Sequence, residues 1–352
     1  MRMLWVRQTK LGLAIETTLR RAKPRCPWDL PHWSSDPFER STVADVSAVL
    51  QTMLESPGPP MTWPKGIPDL SEIKLTMARQ VISALAEGND RGALDGMRGL
   101  AAVDMADGIT YAGFLSLLQA TNGSVLAAAR SAIKPRVVMH VSCLPRLDRA
   151  RRSAGSFAVA ESRGVSQVLV VGAPDNDQFR FDASSNVLTV PAPDTYEHLP
   201  EKVVAALTFL SMCGNVEAVL KVDDDHRLKN LGELESGFRL VQRARPQQIG
   251  KLTDVGWPGM HRRAWHFGKC SDGARNTTVF TRPGPTRWAN GASGYFLNAP
   301  ALRLIRWSYV YFAEYIESGL YEDLLISELL QRQCGVVGPI EMSRILADEP
   351  SY

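Results

Sequence analysis

Apolar positions repeat with two different periods along this chain. Between residue 37 and about residue 133 they recur at helical spacing. VADVSAVLQTMLES and SEIKLTMARQVISALAEG each carry an apolar stripe, and the breaker SPGPPMTWPKGIP separates them. Ser71 predicts the N-cap of the second stretch and Gly88 its stop. Further helical pieces surround residues 97–105 and 111–118. Beyond Pro135 the pattern changes to short β-branched runs: RVVMHVSCL, SQVLVVGAP, NVLTVPA and EAVLKVDDD. Helical stretches over 148–162 and 198–212 fall among them. Such alternation predicts a layered α/β domain with a largely parallel sheet over 135–352, preceded by a mainly helical region over 1–134. Residues 1–35, with CPWDLPHWSSDP, read as irregular.

Composition adds boundaries rather than detail. With 352 residues, 45% of them hydrophobic and 22% charged, the chain has the makeup of a soluble globular protein of up to two domains. A net charge of +3 is too mild to imply a nucleic-acid partner. The five cysteines form no CxxC pair, which argues against a zinc site or a dense disulfide framework. The apolar stretch 111–129 is interrupted by Gln119, Thr121, Asn122 and Ser124, so it does not read as a bilayer span. The N-terminus, MRMLWVRQTKLGLAIETTLRRAK, is basic and lacks a secretory apolar run. It reads as a segment packed on the protein or as an amphipathic contact with a membrane surface.

The chemistry concentrates where EAVLKVDDD ends. Three consecutive carboxylates, Asp223, Asp224 and Asp225, repel one another, yet they sit at the carboxyl end of a buried strand. In α/β sheets that edge is where ligands bind. Strand alternation predicts Asp223 and Asp225 on one side and Asp224 on the other. Hard oxygen donors so arranged suit Mg2+ or Mn2+ already carrying a diphosphate. A solvated turn is the plainer alternative. PRLDRARR, residues 145–152, follows the first strand with four arginines, whose forks match phosphate geometry; Arg149 and Arg152 are the candidates, against a solvated basic helix face. In WANGASGYFLN, Gly291 and Gly294 flank a turn before Tyr295, and Asn298 with Pro300 predicts a helix start. Glu322 and Asp323 open an amphipathic helix, where the dipole alone favours carboxylates and would hold them ionised. His140 reads as a core histidine; His226, His261 and His266 are weaker candidates.

The stretch DTYEHLPEKVVAALTFLSMCGNVEAVLKVDDDHRL, residues 194–228, resembles the beta-1,3-galactosyltransferase and fringe-like glycosyltransferases. Asp194, Tyr196, Leu199, Lys202, Cys213, Lys221 and Asp223 to Asp225 match that family's order and spacing. WANGASGYFLN resembles its Gly-rich segment, although poorer in glycine, and YEDLLISELL its Glu-Asp motif. The resemblance spans roughly residues 136–333. It implies a GT-A fold, a Rossmann-like sheet that binds a nucleotide-sugar and a divalent metal. It implies Asp225 as metal ligand, with Asp223 beside it, and Asp323 as catalytic base. Arg149, Arg152, Lys202, Asp223, Asp224, Gly291, Gly294, Tyr295 and Glu322 become donor-site residues. No histidine follows His266, which implies either that water and diphosphate complete the metal sphere or that metal dependence is weak.

The expected function is therefore inverting transfer of a hexose or N-acetylhexosamine from a UDP-sugar to a hydroxyl of a glycan or glycolipid, with Mn2+ or Mg2+. The expected setting is a bacterial cytoplasm, with peripheral contact to the inner membrane through the N-terminus. Two alternatives are a non-catalytic nucleotide- or sugar-binding module and a metal-dependent phosphoryl or nucleotidyl transferase.

Overall fold

The structure, a computed structural model, describes residues 70–103, 117–173, 178–241, 245–254, 259–285, 287–333 and 335–348. The irregular first 35 residues and the expected helix at 43–56 lie outside them. The chain divides into two compact units, Met1–Thr121 and Asn122–Tyr352.

In the first unit, helices Leu70–Ala86 and Asp90–Val103 pack against each other. Ala78, Val81, Ala93, Met97 and Leu100 fill their seam. A Cβ on Gly96 would lie 2.6 Å from Val81 Cγ2, so this glycine permits the close approach. Gly88 takes φ +67° just past the first helix, as its position in the sequence predicts.

The second unit contains fourteen strands among its described residues: β1 Arg136–Val141, β2 Val165–Gly172, β3 Arg180–Asp182, β4 Val187–Val190, β5 Ala218–Asp223, β6 His226–Leu228, β7 Gln247–Gly250, β8 Leu252–Asp254, β9 Gly259–Arg263, β10 Phe280–Gly284, β11 Arg287–Ala289, β12 Tyr295–Asn298, β13 Val336–Pro339 and β14 Leu346–Asp348. Eight build one sheet in the order β13-β7-β12-β5-β1-β2-β4-β3. The pairs β1–β2, β1–β5, β2–β4 and β7–β13 are parallel, while β12 runs antiparallel to both its neighbours and β3 to β4. This is the mixed α/β domain with a large parallel sheet that the alternating pattern predicts. Strands β1, β2 and β5 are buried almost throughout, which explains why they read as continuous apolar runs.

From β1 the chain goes outward to β2 on one side and later returns to β5 on the other. That reversal marks the carboxyl ends of β1 and β5 as the place where such sheets hold ligands. The aspartates follow β5 there.

Local details show where sequence patterning holds and where it is overridden. Helix Gly123–Ala132 belongs to the sheet-bearing unit, although the change of pattern falls only at residue 135. Arg130 explains it: Nε donates to Cys213 O at 3.0 Å and Nη2 to Met212 O at 3.0 Å. The helical stretch expected over 148–162 is two helices, Leu147–Ser156 and Ala158–Glu161. They meet at Phe157, which is buried with its ring edge against His140, 5.2 Å between centroids. His140 is the core histidine expected, bonded to Ser153 Oγ at 3.1 Å and Gln167 Oε1 at 2.9 Å. Burial lowers its pKa to about 4, so it stays neutral. Asn298 caps helix Ala299–Tyr311 through Oδ1, which accepts from Ala301 N at 3.0 Å, with Pro300 in the first turn.

Helix Leu199–Met212, buried along most of its length, packs on helix Ala299–Tyr311 and reaches β2 and β4. Opposite, Phe296 of β12 meets Phe238 of helix Leu231–Val241 edge-on at 5.2 Å. Gly237 makes room for that ring, since a Cβ there would lie 2.4 Å from Phe296 Cζ. We expect Gly237→Ala to destabilise the fold by about 1–3 kcal/mol through overpacking, read by chemical denaturation. Wild-type stability would mean that the ring yields freely.

Candidate active site

The site grows from one buried lysine. Lys221 lies on β5 two residues before Asp223, so both side chains project to the same side of the strand. Its side chain is 1% exposed, and its ammonium touches Asp223 Oδ1 at 2.7 Å and Glu322 Oε1 at 2.6 Å. It also donates to Gly291 O at 3.3 Å. Burial alone would lower the lysine pKa; the Asp223 and Glu322 charges more than reverse this and hold it above its ordinary value. Glu322 accepts a second bond, from Tyr295 Oη at 2.7 Å. Strand β5, strand β12, the turn at Gly291 and helix Glu322–Arg332 are thus tied at one point.

Asp323 follows Glu322 and is positioned by it. Its Oδ2 accepts from Gly291 N at 3.0 Å and its Oδ1 from Leu324 N at 2.8 Å. A Cβ on Gly291 would fall 2.5 Å from Glu322 Oε1 and 3.0 Å from Asp323 Cβ, so only glycine permits this approach. Gly294, at φ +73°, turns the chain into β12; a Cβ there would also crowd Lys221 O at 2.9 Å. The sequence predicts that the helix dipole keeps Asp323 readily ionised. The structure corrects this: burial raises its pKa above the ordinary aspartate value, outweighing the two backbone N–H bonds and the Lys221 charge.

The aspartate triplet does not alternate as a strand. β5 ends at Asp223, and Asp224 and Asp225 form a turn before β6. Asp223 is engaged by Lys221. Asp224 is buried and accepts from Ser142 Oγ, at the end of β1, at 2.8 Å. Asp225 is 43% exposed, 3.3 Å from Arg149 Nη2 and 3.3 Å from His226 Nδ1. Arg149 Nη1 also lies 3.8 Å from Asp224 Oδ1. The carboxylates that share a partner are therefore Asp224 and Asp225, rather than Asp223 and Asp225. Of the two candidate arginines, Arg149 reaches the aspartates, while Arg152 is exposed on the same helix. Arg146, one turn earlier, also acts on Asp224 through its charge. Its i, i+3 spacing to Arg149 is shared by Arg152, so the sequence does not separate the two.

Two other expected donor-site residues turn out to be internal braces. Lys202, 3% exposed, donates to Asp194 Oδ1 at 2.7 Å and Ser142 O at 2.8 Å. Asp194 in turn accepts from Gly172 N at 2.8 Å and from Leu144 N. Lys202 thus joins the ends of β1 and β2 and presents no charge to a ligand. Tyr295 is fully buried and spends its hydroxyl on Glu322.

Among the described residues, no three His, Cys, Asp or Glu side chains form a group that could cage a metal ion. The donor set still fits a hard cation that arrives with its own diphosphate oxygens and water. Such a cation needs one or two protein carboxylates, and Asp223 and Asp225 are both partly exposed.

A loop beside Asp323 completes the surroundings. His266 is buried with Nδ1 2.6 Å from Tyr321 Oη and Nε2 3.1 Å from Thr278 O. Those partners assign the proton to Nε2, leaving Nδ1 to accept from the tyrosine. Tyr321 immediately precedes Glu322 and also meets Trp265 and Phe280 edge-on, at 5.5 and 5.3 Å. Glu197 anchors the far end of the loop, accepting from Ser271 Oγ, Ser271 N at 3.1 Å and Asp272 N at 3.2 Å. Its burial would raise the carboxyl pKa; these bonds outweigh it and bring it to about 2. Glu197 does not stand out in the sequence; His266 is a weak candidate there, without its pairing to Tyr321. The side chain of His261 lies outside the described residues.

No family model and no curated protein matches the chain. Solved structures similar to it include a 4-diphosphocytidyl-2C-methyl-D-erythritol synthase from Anaerococcus prevotii, at 10% identity and TM-score 0.33, over 63% of this chain and 92% of that one. Another is a 2-C-methyl-D-erythritol 4-phosphate cytidylyltransferase from Thermus thermophilus, at 11% identity and TM-score 0.31, over 59% and 89%. At that overlap the likeness assigns no chemistry to this chain.

Two predictions follow from the geometry. Lys221→Met leaves Asp223 and Glu322 without their cation, and we expect a loss of about 3–5 kcal/mol of stability by urea denaturation; a neutral outcome would show the ion cluster to be dispensable. Glu197 has a depressed folded pKa, so its stabilisation is present above its unfolded value of 4.5 and is lost as pH falls toward about 2. Thermal melts from pH 5 to 2 should show an acid slope in the wild type that is smaller in Glu197→Gln. Parallel slopes would remove Glu197 as the loop's anchor.

Proposed function

We propose that the chain is an inverting glycosyltransferase with a GT-A fold, moving a hexose or N-acetylhexosamine from a UDP-sugar to a hydroxyl of a glycan acceptor. The observation that carries this reading is the placement of Asp323. It is a partly exposed carboxylate of raised basicity, fixed by Gly291 N–H, beside a Glu322 already consumed by Lys221 and Tyr295. Two adjacent acidic residues thereby have separate roles, one structural and one available for proton transfer.

In this reading Arg149 and Arg146 hold the diphosphate, and Asp225 with Asp223 holds the divalent cation. When bound, that cation offsets charge building on the departing diphosphate. The acceptor oxygen attacks the anomeric carbon as its proton passes to Asp323. The bond from that carbon to the diphosphate breaks with its electron pair leaving on UDP. Attack opposite the leaving group inverts the centre, and holding both substrates in line supplies much of the acceleration.

Metal-dependent nucleotidyl transfer is the second reading. The same arginines and aspartates would serve it, because both reactions begin with a nucleotide phosphate at this strand edge. It assigns no necessary task to Asp323.

Incubation with a panel of UDP-sugars, scoring UDP release with and without Mn2+, tests the main reading; pyrophosphate release from nucleoside triphosphates tests the second. We expect Asp323→Asn to lower transfer by about 10²–10⁴-fold with little change in UDP affinity. Wild-type kcat should rise with pH through a group above the ordinary aspartate value, and that limb should vanish in the variant. Asp225→Ala should instead weaken metal-dependent UDP binding by calorimetry. Near wild-type transfer by Asp323→Asn would move the base elsewhere, and unchanged UDP affinity of Asp225→Ala would end its metal role.

A further inference from the structure

The segment from β9 through β10, residues 259–284, has an uneven charge. It holds Arg262, Arg263, Lys269, Arg275 and Arg282 against one acid, Asp272, a net of 5 − 1 = +4. The whole chain carries +3, so everything else sums to 3 − 4 = −1. Arg282 is turned inward, its guanidinium 3.5 Å from the Tyr315 ring centroid and 4.0 Å from Glu328. Arg262 and Lys269 are exposed and Arg263 and Arg275 partly so.

Interleaved with these cations are three of the large apolar side chains that the protein leaves in water. Trp265 is 48% exposed, Phe267 42% and Val279 39%. All three hang on one buried residue. Trp265 and Phe267 flank His266 in sequence, the Phe267 ring lies 5.1 Å from the imidazole, and Val279 follows Thr278, whose carbonyl accepts from His266 Nε2. The Arg263 guanidinium lies 5.1 Å from the Trp265 ring. The patch is held outward by structure: Glu197 clamps Ser271 and Asp272, and Tyr321 holds His266. An aromatic group amid several cations on a braced loop is the composition that partitions to the headgroup region of an anionic bilayer. There the rings enter the interface and each basic residue adds attraction.

We propose that this loop is a docking surface for an anionic lipid membrane. It is distant in sequence from the basic N-terminal segment and does not depend on the reaction assigned to the site. Because Tyr321 links the loop to Glu322 and Asp323, docking would bring the catalytic edge of the sheet to the bilayer surface.

The test uses the full chain and sedimentation with vesicles of phosphatidylcholine alone and of phosphatidylcholine with phosphatidylglycerol. We expect binding to the anionic vesicles, weakening as salt rises, and little binding to the neutral ones. The double variant Arg262→Gln/Lys269→Gln should lower partitioning by about 30-fold, from two lost basic contacts. Trp265→Ala/Phe267→Ala should lower it as well, with circular dichroism and thermal melting confirming the fold. Since Trp265 supports Tyr321, the charge variant stands as the independent arm if the aromatic one unfolds. Wild-type partitioning of a folded charge variant would overturn the proposal and leave the N-terminal segment as the membrane contact. Equal binding to both vesicle types, or none to either, would overturn it too.

Discussion

The buried ammonium of Lys221 is the constraint from which the site is built. An unpaired cation inside a protein costs several kcal/mol, so its neighbours must be arranged to neutralise it. Here they are Asp223, two residues away, and Glu322, 101 residues away. The second partner decides where helix Glu322–Arg332 begins. With Glu322 fixed by Lys221 and Tyr295, the next residue, Asp323, falls against the Gly291 amide. The glycine is forced by the same packing, because a side chain there would occupy the position of the Glu322 carboxylate. One ion cluster therefore sets the relation between the strand that ends in aspartates and the helix that begins with the acid.

The charge balance around that cluster shapes its chemistry. Lys221 neutralises one of the three acids Asp223, Glu322 and Asp323, and Arg149 and Arg146 stand against Asp224 and Asp225. The excess is negative on the Lys221 side. A negative surplus in a partly desolvated edge favours binding a cation, while the Asp323 carboxyl is raised by burial against the opposing Lys221 charge. A carboxylate made more basic, while still ionised at working pH, is a better proton acceptor.

What the sequence made legible was local. The strands show as β-branched runs because both faces of the central sheet are covered, and Gly88 and Asn298 mark helix ends because a cap depends on its own few residues. The illegible part lies in side-chain direction. A spacing match located Lys202 and Tyr295 without saying that both face inward, where their polar ends are consumed by Asp194, Ser142 and Glu322. Alternation misplaced the triplet because β5 stops at Asp223. Arg146 was missed in favour of Arg152 because a basic run does not declare which helical face meets the sheet edge. Glu197 carried no signal and His266 only a weak one, since their partners, Ser271, Asp272, Thr278 and Tyr321, are distant in sequence.

The inward residues still bear on the site, through a second chain of contacts that mirrors the first. Lys202 holds the carbonyl of Ser142, and the hydroxyl of Ser142 holds Asp224. Asp194, the partner of Lys202, also takes the amides of Gly172 and Leu144, so the ends of β1 and β2 are fixed together. Two buried lysines thus brace this edge of the sheet: Lys221 on the side of β5 and β12, and Lys202 on the side of β1 and β2. Asp224 lies where these braces meet, and its burial follows from being held by Ser142 and neutralised by Arg149. Asp225, next in the chain, is then left at the surface of a turn that cannot easily shift. Lys202, which faces inward, thus fixes the position of Asp225 through Ser142 and Asp224.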